Sequence, residues 1–112
     1  MGKSERTKGH SYERKVAIDL RPFYPDAKRH LEYQSSEAEL GQDLDNTGSL
    51  LIQCKAMKKS PSPNSLLDQV KDQEGHHKIA VVKIDRKGEY AITHWTTMLH
   101  FIQLLKTNKL IK

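Results

Sequence analysis

The chain is predicted to be an α/β domain, a central mixed β-sheet flanked by helices in the order α-β-β-β-α-β-β-α. Three observations carry this. A helical apolar stripe lies near the N-terminus, a continuous apolar run LLIQCK follows a turn, and a second β-rich run, Lys78–Ile84, lies beyond a proline-containing break. With 112 residues, 36% hydrophobic and 29% charged, the chain suffices for one domain with a modest core. We place that domain at residues 9–112, after a flexible basic N-terminus over 1–8.

The elements follow in order. Ser11 is a good N-cap, and Pro22 disfavours helix at Arg21, so a first helix is expected between them. Glu13, Val16, Ala17 and Leu20 share one face of it, which sets a carboxylate on the stripe that should be buried. Arg29–Gln34 alternates as a strand, with Leu31 and Tyr33 on one side, and SSEAELGQ is a loop. Asp43–Asp45 is short and extended, and Asn46-Thr47-Gly48 turns the chain into a strand over Ser49–Lys55. Pro61 and Pro63 mark a break before a second helix, Ser65–Glu74, which Gly75 stops. Lys78–Ile84 reads as a central strand. Arg86-Lys87-Gly88 turns into strand Glu89–Thr93, and a last helix from about Trp95 to Lys106 carries Met98, Phe101, Ile102 and Leu105 on one face. That stripe is most simply core packing, and its length also permits a dimer contact. Tyr12, Tyr24 and Tyr33 are expected to support the core.

Composition excludes several classes. No apolar run approaches the ~20 residues of a membrane span, and the N-terminus lacks the apolar stretch of a signal peptide, so a cytoplasmic protein is expected. Gly2 only weakly resembles a myristoylation signal. The single cysteine, Cys54, rules out an intramolecular disulfide and a cysteine-based zinc site, and reads as a small buried hydrophobe. Six histidines form no spaced cluster; His94 and His100 do not share a helical face, and His76-His77 follow Gly75 at an expected helix end. The net charge of +5 and a pI near 9.4 suit either a solvated surface or one that meets nucleic acid. The basic residues recur along the chain instead of forming a tail, as a surface following a phosphate backbone requires.

Side chains alternate along a strand, so Gln53 and Lys55 point one way while Ile52 and Cys54 point the other. Burying an ammonium costs several kcal/mol unless a negative partner is present. Asp43, on the strand expected to pair through the turn, can supply one, and Glu13 is brought alongside when the first helix packs on the sheet. Singly these residues are ambiguous: Lys55 also reads as a strand-end lysine reaching solvent. Together they give two carboxylates, one carbonyl oxygen and one ammonium. Magnesium takes oxygen ligands of this kind along with waters and substrate phosphate, and such a set suits phosphodiester hydrolysis.

The order Glu13 … Asp43-x9-Gln53-Cys54-Lys55, on elements αβββαβ, resembles the PD-(D/E)XK nuclease superfamily, and within it the phage and archaeal Holliday-junction resolvases. KGHSYER resembles their first-helix motif, GQDL and LIQCK their aspartate and E-x-K strands, and Lys78–Ile84 a later core strand. The resemblance spans roughly residues 8–105. It implies a restriction-endonuclease-like core and a magnesium- or manganese-dependent endodeoxyribonuclease of phage or mobile-element origin. Asp43 would be the main metal ligand, Glu13 a second ligand or water-positioning group, Gln53 a carbonyl ligand, and Lys55 the group assisting the attacking water. Lys8, Arg14, Arg29, Lys58 and Lys59 would hold phosphates of branched DNA, with Asp45 and Gln69 as accessory site residues, and a homodimer would cut two strands. Two departures stand out: Gln42 replaces the proline before the aspartate, and Gln53 replaces the usual carboxylate. The alternatives are a flap or nicking nuclease of the same fold, a DNA-binding module whose metal site has decayed, and a basic RNA-associated protein.

Overall fold

The computed structural model describes residues 2–31, 40–59 and 62–112. Helix α1 (Gly2–Leu20) is followed by strands β1 (Lys28–Arg29), β2 (Leu44–Asp45) and β3 (Leu50–Met57), then by helix α2 (Pro63–Leu67). Strands β4 (His77–Ile84) and β5 (Gly88–Thr93) and helix α3 (Trp95–Thr107) complete the chain. The order is the expected one. β3 pairs with β4 in parallel and β4 with β5 antiparallel, giving a mixed three-stranded sheet with β4 in the middle. α1 packs on β3 and α2 on β4 and β5. No helix among the described residues is long and apolar enough to cross a membrane.

Burial explains why the strands sit where they do. Ile52 and Cys54 of β3 join Tyr12, Val16 and Ala17 of α1, with Ala27 and Leu44, in one buried cluster. Ala80, Val82 and Ile84 of β4 pack against Leu66 and Leu67 of α2 in a second. Tyr12 is buried and Tyr24 packs at the edge of the first cluster, as expected; Tyr33 lies outside the described residues. Cys54 is buried as an apolar residue.

Several elements depart from expectation. α1 begins at Gly2, ahead of Ser11, which stands exposed within the helix. Residues 2–8 hold no proline and include the helix formers Glu5, Arg6 and Lys8, so the capping signal at Ser11 is overridden. β1 stops at Arg29, before Leu31, and the remainder of the expected strand to Gln34 lies outside the described residues. β2 forms its ladder with β1, with Lys28 opposite Asp45, and not with β3. A single backbone bond, from Asp43 N–H to the Ile52 carbonyl (2.8 Å), ties this segment to β3. α2 ends at Leu67, so Gln69 lies on a turn and His76-His77 do not cap a helix; His77 opens β4.

The largest departure is α3. None of its residues is buried, and Trp95, Met98, Leu99, Leu104 and Leu105 are exposed. The stripe is therefore not core packing. Ring contacts from His77 to His100 (5.0 Å) and Phe101 (5.3 Å) link α3 to β4.

Candidate functional site

Glu13 from α1, Asp43 from the segment before β2, and Gln53 and Lys55 from β3 line one cavity of about 500 Å³. Four residues from three separate segments thus meet along β3, where Cys54 and Ala56 line the cavity as well. Lys8 and Lys58 stand on the same lining. A second recess of about 410 Å³, lined by His10, Arg29 and His30, shares Glu13 and Asp43 with the first. The two carboxylates therefore stand between two openings.

Each group is held differently. Asp43 is anchored twice to β3: its backbone N–H donates to Ile52, and its Oδ2 accepts the Cys54 backbone N–H at 2.8 Å. Burial pushes its carboxyl up to about 6, with Glu13 adding to the rise while the Cys54 N–H, Lys55 and His30 oppose it. Burial likewise raises the Cys54 thiol, helped by Asp43 and Glu13, so this cysteine is no nucleophile. Glu13 accepts a bond from Arg29 Nε at 3.1 Å, and both side chains are only 17% exposed. Arg29, expected on phosphates, sets its Nε on Glu13.

Gln53 is 7% exposed, and its Nε2 donates to Gln69 Oε1 at 2.5 Å. Its Oε1 is buried with no hydrogen-bond partner. An orphaned buried carbonyl is costly, on the order of 1–3 kcal/mol, and Gln53 is one of the residues that line the cavity with Asp43. Gly41, on the lining of the second recess, fixes how the chain before Asp43 approaches Gln69. At φ +91° it takes a left-handed conformation, and a Cβ there would fall 2.2 Å from the Gln69 carbonyl oxygen. Glycine lets the chain before Asp43 pass directly over the turn that carries Gln69.

Other expected residues are placed elsewhere. Lys55 is exposed, so it is not a buried ammonium in need of rescue; it stands at the mouth with solvent around it. Asp45 does not reach the cavity. It is 2% exposed, and its Oδ1 lies 2.7 Å from His30 Nδ1. Lys8 pairs with Asp85 at 3.2 Å across a half-exposed gap, tying α1 to the turn after β4. Arg14, Lys58 and Lys59 are exposed; only Lys58 lines the cavity. Sequence reasoning missed the His30–Asp45 pair and the anchoring of Glu13 by Arg29, because both depend on a two-residue ladder with no hydrophobic alternation to announce it.

Among the described residues no group of three or more His, Cys, Asp or Glu side chains is arranged to hold a metal. The cavity is lined by a different set, two carboxylates and the Gln53 side chain. Comparison with protein-family models, curated proteins and solved structures returns no match.

Proposed function

We propose that the chain is a metal-dependent endodeoxyribonuclease of the PD-(D/E)XK type, resembling the junction resolvases. The observation that carries the reading is the meeting of Glu13, Asp43, Gln53 and Lys55 in one cavity. A hard divalent cation fits the donors: two carboxylates supply charge, and the orphaned Gln53 Oε1 would gain the partner it lacks. Magnesium or manganese, when bound, neutralises charge on a phosphoryl oxygen and acidifies water.

The chain's own residues would divide the remaining work. Asp43 and Glu13 would hold the cation, with Arg29 fixing Glu13 through its Nε. Gln53 adds a neutral oxygen fixed by Gln69. Lys55, exposed at the mouth, is free to meet a phosphate oxygen and to orient the attacking water. Lys8 and Lys58 on the rim supply further positive charge toward a DNA backbone.

One active set serves one strand, so paired incisions need a second copy. The uncovered apolar face of α3 supports a homodimer. A second reading, a DNA-binding module with a decayed site, draws on the neutral Gln53 in place of a third carboxylate. Incubation with four-way junction, flap, duplex and single-stranded DNA, each with magnesium and with manganese, separates these. A resolvase cuts the junction in metal and sediments as a dimer; a flap or nicking enzyme cuts without junction preference. Binding without cutting in either metal leaves the decayed module.

A further inference from the structure

Lys78 is a part-buried lysine that the site described above does not use. It lies on β4, two residues before Ala80, the register partner of Gln53. Its side chain is only 11% exposed. An ammonium at such depth needs compensation, and both its partners belong to one turn. Nζ donates to the Val70 carbonyl at 3.1 Å and pairs with Asp72 at 2.9 Å. Asp72 is 93% exposed and contributes little to holding the lysine. The Val70 carbonyl is the structural contact.

This turn, residues 68–72, carries Gln69. It is fastened on three sides: Val70 is buried, Lys71 N–H donates to the Leu40 carbonyl, and Lys78 holds Val70 from β4. Gly41 lies against the Gln69 carbonyl on the remaining side. Gln69 itself is exposed and makes one side-chain bond, to Gln53 Nε2. Gln53 and Asp43 line one cavity, and the Gln69 bond fixes which end of the Gln53 amide is taken up by the turn, so the orientation of the amide depends on where the turn sits. A carboxamide turned over would offer N–H donors to the cavity in place of an oxygen.

We infer that Lys78 is a positioning residue: by clamping the turn at Val70 it holds Gln69 so that Gln53 presents its carbonyl oxygen to the Asp43 cavity. The inference deepens the metal-site reading and rests on it for its purpose, but the clamp is measurable without any metal.

The experiment follows the side-chain amide protons of Gln53 by NMR in the full chain, assigned by their loss in Gln53→Ala. Lys78→Met keeps the apolar stem and removes the ammonium. It should shift the Gln53 amide resonances and speed their solvent exchange by about tenfold, as expected when a local closure is released. Lys78→Arg, which still reaches a carbonyl, should restore most of the parent behaviour. Gly41→Ala displaces the same turn from the opposite side and should move the same resonances, which keeps the test open if Lys78→Met does not fold. A folded Lys78→Met with the Gln53 amide unchanged overturns the inference. A manganese titration then separates the clamp from its purpose. Lys78→Met should weaken binding about tenfold, the lower range for loss of an outer partner, and have no further effect in Gln53→Ala. An equal loss in the Gln53→Ala background overturns the route through Gln53. If the amide responds as expected but the parent takes up no manganese, the clamp stands and the nuclease reading falls.

Discussion

Two regions of the molecule invert the usual rule of burial. Around Asp43, polar groups are inside: Gln42, Asp45, Thr47 and Gln53 are all buried. Along α3, apolar groups are outside, with Trp95 68% and Leu104 48% exposed. The first region is fastened by named bonds from four segments, whereas α3 touches β4 chiefly through rings. Burying polar atoms costs free energy that burying leucines would return. These are the two regions that the proposed function uses, the first for a metal and the second for a partner copy.

The contrast is broken most directly by removing charge at the buried end. Asp43→Asn keeps the shape and an acceptor for Cys54 N–H, so it should lower metal-dependent cleavage by at least about a thousandfold while leaving DNA retention in a gel shift near the parent's. Undiminished cutting removes Asp43 from the site. Gln53→Ala should cost roughly tens- to hundredfold in the same assay, and Gln53→Glu should stay active. Parent-like cutting by Gln53→Ala places the residue outside the metal's reach.

Stability sharpens the comparison next. Leu44→Ala empties a fully buried site and should destabilise by about 3 kcal/mol in urea melts. Asp43 gives a pH-dependent counterpart. Its carboxyl rises from 3.8 to about 6 on folding, so below pH 3.8 it is protonated in both states and costs nothing. As the pH climbs toward 6 the unfolded state ionises first and stability is lost; above 6 the full cost applies. Without metal, Asp43→Asn should therefore be more stable than the parent at pH 8 by about 3 kcal/mol, with the gain closing as pH falls from 6 to 4. A constant difference across that window contradicts the buried carboxyl. The smallest effect belongs to α3: Leu104→Lys should change the stability of the monomer by less than about 0.5 kcal/mol. Leu99→Lys should do the same, yet shift sedimentation toward monomer if α3 joins two copies.

What the sequence revealed divides along the same line. Periodicity located β3, β4 and α3 within two residues at most ends, because long apolar runs are local signals. The order of Glu13, Asp43, Gln53 and Lys55 along αβββ was also enough to bring them to one cavity. Contacts without a pattern were not legible. β2 takes β1 as its partner although the Asn46-Thr47-Gly48 turn favours a hairpin with β3. Asp45 looks like Asp43 on paper, and only the fold gives one to His30 and the other to the cavity. The apolar stripe of α3 is read correctly as a stripe, but periodicity carries no information on whether anything covers it.

The parallel pairing of β3 with β4 carries a kinetic consequence. Antiparallel neighbours can zip from a tight turn, but these two strands meet only after the chain from residue 58 to residue 76 has looped across, a non-local closure that is slow to form. Gln53, Gln69 and Lys78 lie before, within and after that crossover. The hydrogen bond between the two glutamines therefore cannot precede the closure, however early α1 and the β4–β5 hairpin take shape. Refolding from denaturant should restore far-ultraviolet ellipticity first and metal uptake last, with the crossover setting the rate of the second.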